Sequence, residues 1–177
     1  MTVEEFIKII EASTQHTTLY HFTDEANFSS IDEHGLLSKA ELKKRQLWPP
    51  AATGGNDLSH QLDNARGIDP YVSLCLTRNH GMQFVATKDG RLKKPRYLGI
   101  KPQVLLIAGT RMAFGIANAN DVKIVPMVDA IDQLDREVLY TRTNWSDPAV
   151  NKRLSAAEKF EVLVPDSVPR DQILGYY

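Results

Sequence analysis

Three short apolar runs, "TLYHFT", "YVSLCLT" and "FEVLVP", constrain this chain more than anything else in it. Each is too short for a helix with a buried face and has the β-branched and aromatic content of a strand. "YLGI", "QVLLIA", "VKIVPM" and "EVLYT" read the same way, with Pro102 between the first two. Helical patterns are fewer. Thr2 and Glu5 make a capping box ahead of Val3, Phe6, Ile9 and Ile10, which predicts a helix to about Ala12. Residues 25–34 predict a second helix with Phe28 and Ile31 inward, stopped at Gly35, and Ser38 with Glu41 caps a third. A short helix is expected near residues 129–135. Strands outnumber helices and rarely alternate with them, so the class is α+β. At 177 residues the chain suits a single domain over residues 1–177.

Charge and composition then exclude several functions. The net charge of -1 provides no global field to recruit nucleic acid or an anionic membrane. The basic runs at residues 91–101 and 41–46 read first as solvated faces. No apolar stretch approaches the roughly 18 residues of a membrane helix. The acidic, amphipathic start lacks a secretory signal pattern, which leads us to expect a cytoplasmic protein. The single cysteine, Cys75, lies mid-strand between Leu74 and Leu76, where a thiol stays protonated and packs. The five histidines share no ligand spacing, so no metal site is expected. P-loop, GxGxxG and GxSxG patterns are absent. Residues 46–70, rich in Pro, Gly, Asn and Asp, read as a functional loop or lid.

Three polar features remain. His21 and Thr23 sit at the exit of the first strand. Arg66 precedes the strand "YVSLCLT", where a guanidinium can clamp a phosphate with two parallel hydrogen bonds or simply be solvated. Glu161 alternates against Phe160, Val162 and Val164 and shares its face with Leu163. A carboxylate there is costly to bury unpaired, so it either faces water at a sheet end or serves a site.

Taken in order, these segments resemble the DarT-like ADP-ribosyltransferases, toxins of toxin–antitoxin systems. "LYHFTDEANFSSIDEHGLLS" is similar to the family's opening strand and helix, and "SKAELKKR" continues it. "ARGIDPYVSLCLT" resembles its Arg-containing lead-in to the second strand, and "FEVLVPDSVPRDQI" its closing catalytic-Glu segment. "MAFGIANAND" is similar to a turn ahead of the substrate loop. Departures are Phe22, where an aliphatic residue is usual, and residues 118–159, which match poorly.

The resemblance implies the ADP-ribosyltransferase fold, two abutting and mainly antiparallel sheets around an NAD cleft. It implies that His21 bonds the nicotinamide-side ribose and that main chain around His21 to Thr23, with Phe22 between them, grips the nicotinamide amide. Arg66 would hold the pyrophosphate and help to activate the acceptor. Tyr71 or Ser73 would line the pocket, Ser38 would reach the ligand, and Glu161 would be the catalytic acid–base residue. NAD is then the co-substrate, with no metal, and a cognate antitoxin is implied as a partner.

One carboxylate suits this chemistry. Cleavage passes through an oxocarbenium-like state at the ribose anomeric carbon, as in glycoside hydrolysis. Nicotinamide leaves as a neutral molecule from a cationic precursor, so no general acid is needed. Family members modify bases in single-stranded DNA and, in one relative, RNA. The expected acceptor is therefore an unstacked base in single-stranded DNA or RNA, with DNA favoured. Tyr140, Arg142, Asn144 and Trp145, in "YTRTNWSDPAVNKR", are the expected acceptor contacts, with Trp48 and residues 91–96 as further suppliers. A protein-directed transferase often carries Glu or Gln two residues before the catalytic Glu, where this chain has Lys159. An RNA 2′-phosphotransferase would need further Arg and His positions that do not stand out. A non-catalytic binding module is the remaining alternative.

Overall fold

In the computed structural model, which describes residues 1–49, 51 and 66–177, the expected α+β architecture is present. The strands are β1 (Leu19–Asp24), β2 (Leu36–Leu37), β3 (Tyr71–Cys75), β4 (Pro95–Ile100), β5 (Arg111–Ala113), β6 (Ile124–Pro126), β7 (Glu161–Pro165), β8 (Ser167–Val168) and β9 (Ile173–Tyr176). Helices are α1 (Val3–Glu11), α2 (Phe28–His34), α3 (Lys39–Arg45), α4 (Gly81–Lys88), α5 (Met127–Ala130), α6 (Arg136–Tyr140) and α7 (Pro148–Ala157). The segment expected to be a loop or lid, residues 46–70, lies largely outside the described residues.

The strands run in the order β6-β5-β7-β3-β1-β4-β9, and β2 pairs separately with β8. All pairings are antiparallel. The long sheet is two half-sheets joined at one seam. β3 registers with β7 along its whole length, from Tyr71 opposite Pro165 to Cys75 opposite Glu161. β1 registers with β4 from Leu19–Ile100 to Asp24–Pro95. Between β1 and β3 only Tyr20 and Cys75 lie opposite each other. Beyond that pair the two half-sheets separate.

One face of the sheet is the core. Leu19, Val72, Leu74, Leu98, Met112, Val162 and Val164 are buried there with Phe6 and Ile10 of α1. Thr2 and Glu5 cap α1 reciprocally, as their spacing predicts. Leu163, on the opposite face of β7, packs instead with Ala113 and Ala117.

Two expected strands are helices. "QVLLIA" forms a 3-10 turn over Pro102–Leu106, because Pro102 at its start cannot join a ladder and the turn buries Val104 and Leu105 together. "EVLYT" lies largely in α6, where Asp135 accepts a hydrogen bond from the Val138 amide and caps the helix. That helix buries Val138, Leu139 and Tyr140 in consecutive positions, a pattern that alternation does not distinguish from a buried strand. α7 takes up the second part of the segment expected to be an acceptor loop, from Pro148 on, with Asp147 as its cap and Pro148 in its first turn.

Candidate active site

The cleft opens where β1 leaves β3. At the end of β1, Asp24 accepts hydrogen bonds from the main-chain amides of Ala26, Lys93 and Lys94, which tie the strand end to the start of β4. Those bonds, led by Lys94, hold its carboxyl below the usual range. Thr23 Oγ1 accepts from Asn27 Nδ2 at 3.1 Å. Gly35 then ends α2 at φ 75°, and a Cβ there would stand 2.6 Å from the Val168 carbonyl oxygen. Only glycine fits, and the turn delivers Leu36 and Leu37 to β8 and Ser38 to the cleft. Ser38 Oγ accepts the Glu41 amide at 3.2 Å and caps α3. Glu41 does not complete the expected capping box; its carboxylate instead takes Lys44 and Arg45, each at 2.8 Å.

His21, Phe22, Thr23, Ser38, Tyr71 and Glu161 all line this cleft. His21 Nδ1 lies 2.9 Å from the Ser73 carbonyl oxygen. A carbonyl only accepts, so Nδ1 carries the proton and Nε2 is left as an acceptor in the neutral ring. Burial pushes the His21 pKa down and outweighs the Ser73 carbonyl, which pushes it up. Phe22 stacks on His80 and meets Tyr97 edge-on, so its side chain forms the cleft wall. Glu161, 8% exposed, opens β7 opposite Cys75. Burial raises the Cys75 thiol well above its ordinary value, and the charge of Glu161 adds to the shift. His80 Nε2 stands 3.6 Å from Glu161 Oε1. Burial lowers the His80 pKa against the Lys159 main chain, so His80 is a neutral neighbour of that carboxylate.

Arg66 is placed at the rim. Its guanidinium donates to the Ala119 carbonyl and, at 3.0 Å, to the Val122 carbonyl. It therefore anchors the turn that carries Ile116 and Asn118 into the cleft. Of the expected acceptor contacts, Tyr140 is not available. It is 4% exposed and packs edge-on against Phe6, 5.7 Å between ring centroids, in the core. Its hydroxyl titrates far above the ordinary range through burial. Arg142 is exposed, and Asn144 Oδ1 accepts from the Ser146 amide in a turn. Trp145 lies outside the cleft and lines a second cavity. The basic run near residue 91 is largely paired, Arg91 with Asp89 and both Lys94 and Arg96 with Glu25. Asn27, Lys39, Met82 and Asn118 also line the cleft, and no sequence spacing marks them.

Among the described residues no group of three His, Cys, Asp or Glu side chains could hold a metal. Nor is any described helix long and apolar enough to cross a membrane.

This geometry has relatives. The family described as "ssDNA thymidine ADP-ribosyltransferase, DarT" matches residues 20–177. The chain belongs to the DarT family, and with it to the NAD-dependent ADP-ribosyltransferases. Thermosipho africanus DarTG in complex with ADP-ribose superposes with a TM-score of 0.69 at 19% identity, covering 90% of this chain and 43% of that one. Thermus sp. 2.9 DarT in complex with ADP-ribosylated ssDNA gives 0.66 at 18% identity, over 90% and 80% of the two chains. The same DarT in complex with NAD+ gives 0.63 at 18% identity, again over 90% and 80%. These likenesses show a shared fold. No curated protein matches the sequence.

Proposed function

We propose that this chain transfers the ADP-ribosyl group of NAD to thymidine in single-stranded DNA, as the toxin of a toxin–antitoxin pair. The observation that carries the chemistry is Glu161 standing in the wall of a cleft that a neutral His21 also lines. The cleft, about 180 Å³, is smaller than the ~300–1,000 Å³ of a typical ligand site. It suits the nicotinamide-riboside end of a dinucleotide rather than the whole. The family description and the Thermus relative in complex with ADP-ribosylated ssDNA support thymidine as the acceptor.

Bound NAD supplies a cationic leaving group and an electrophilic ribose carbon. His21 Nε2 accepts from a ribose hydroxyl while the Ser73 carbonyl fixes the ring. Main chain at Phe22 and Thr23 grips the amide, and the Tyr71 and Ser38 side chains close the pocket. Glu161 bonds a ribose hydroxyl and stabilises the positive charge developing at the anomeric carbon. As the thymine ring nitrogen bonds that carbon and nicotinamide departs, Glu161 takes the proton from that nitrogen. Arg66 holds the Ile116–Asn118 turn against the cleft before NAD binds, and gives up these two carbonyls for the phosphate oxygens of the diphosphate when it does.

Labelled NAD incubated with separate pools of single-stranded DNA, RNA and protein tests the proposal. Label should appear on DNA, and oligonucleotides without thymidine should stay unlabelled. Label confined to protein would sink the nucleobase reading, and label confined to RNA would move the acceptor. Expression should arrest growth, and Glu161→Gln should relieve the arrest.

A further inference from the structure

A second cavity, about 660 Å³, lies on the other side of the wall that Phe22 makes with Tyr97. Phe22 belongs to the cleft, Tyr97 to the second cavity, and their ring centroids are 6.3 Å apart. The cavity is lined by the rings of Tyr97, Trp145 and His16 and by Arg78, Asn79 and Glu158. We propose that it is a second subsite, which stacks a base of the acceptor strand adjoining the base that is modified. This rests on the proposed acceptor being a single strand.

The chemistry of the lining selects such an occupant. Trp145 remains 48% exposed although its ring borders a concave surface. Arg78 lies over the rings of Tyr20 and Tyr177, at 5.8 and 5.4 Å from their centroids, and no carboxylate pairs with it among the described residues. A cation held on aromatic faces beside an exposed indole is the arrangement that binds stacked bases and their phosphates without reading sequence. The His16 ring meets Tyr20 edge-on, 5.6 Å between centroids, and adds a further aromatic face to this side of the cavity. Glu158 opposes a phosphate, but it is tied to Asn79 Nδ2 at 2.8 Å, and burial favours its neutral form.

Position supports the same occupant. Asn79 and Glu158 bridge the end of β3 to the residues just before Glu161. The next residue, His80, touches Phe22 on one side and approaches Glu161 at 3.6 Å. The second cavity therefore borders the residues that stand beside the carboxylate.

The test compares kcat/KM for a thymidine-containing strand of about ten nucleotides with that for thymidine 5′-monophosphate. In Trp145→Ala and in Arg78→Gln the ratio should fall about 5- to 150-fold, the range for losing one stacked base. Trp145→Phe should restore most of it, which a misfolded protein would not do. Binding of a fluorescent oligonucleotide to Glu161→Gln reads the subsite without chemistry, and Trp145→Ala in that background should weaken it by at least about fivefold. An unchanged ratio together with unchanged oligonucleotide affinity would overturn the subsite even if transfer to DNA is intact. Absence of transfer in the parent, with oligonucleotide binding still dependent on Trp145, would instead overturn the proposed reaction and leave the subsite standing.

Discussion

β3 has two neighbours and treats them differently. Against β7 every residue is in register, and the paired face holds Val72, Leu74, Val162 and Val164 buried together. Against β1 the register consists of Tyr20 opposite Cys75, and the Ser73 carbonyl bonds a histidine side chain instead. Where the ladder continues, the strands make core. Where it stops, they leave a gap lined by polar and apolar side chains together, and the candidate NAD site is that gap. A binding cleft here is a local failure of strand pairing, held open by a well-paired sheet on either side.

The largest expected effect breaks the open side. Glu161→Gln keeps the shape but removes the charge, and transfer should fall on the order of 10² to 10³. Stabilisation by NAD in a thermal melt should persist; its loss would make Glu161 a binding rather than a catalytic residue. Leu74→Ala attacks the paired side. Urea unfolding should show a loss of about 2–5 kcal/mol, with kcat per folded molecule unaltered. A large drop in kcat instead would mean that the core face shapes the cleft directly.

His21→Ala sharpens the comparison, since it removes a side chain that bridges the gap. NAD affinity should weaken by roughly 5- to 150-fold, as for a lost hydrogen bond that leaves a buried ribose hydroxyl unpaired. Measuring KM for NAD checks it, and an unchanged KM would remove His21 from the site.

The smallest effect is with pH. Burial lowers the pKa values of His16, His21 and His80, that of His16 to about 4. The unfolded chain takes up these protons below about pH 6.5, before the folded chain does, so stability is complete above that pH. It declines as pH falls, toward about 4 for His16. Melting temperatures at pH 7.5 and 5 should show the decline, and NAD affinity should hold down to about pH 6.5 because burial keeps His21 an acceptor there. A flat melting profile would mean that the three rings are solvated.

Much of this was legible in residue patterns. α1 follows from a capping box and helical spacing, and β3 and β7 from alternation. Glu161, a carboxylate alternating with valines, marked itself as costly to bury. "EVLYT" misleads because a helix buried on most sides and a strand share the same short apolar run, and Tyr140 was misplaced with it. His80, Asn27 and Lys39 carry no spacing that links them to Glu161 or His21, so only folding reveals their proximity.

By itself the sequence determined the chemical inventory and the local elements: a carboxylate among strand valines, a histidine in an aromatic strand, a glycine that stops a helix. These depend on neighbours within a few residues, where propensity, capping and alternation act. Tertiary structure decided where the β1–β3 ladder ends, that Arg66 reaches the carbonyls of a turn more than fifty residues away, and that His16, Arg78, Tyr97 and Trp145 share one cavity. Those placements follow from how two half-sheets pack and splay, a free-energy balance summed over the whole core that no single segment encodes.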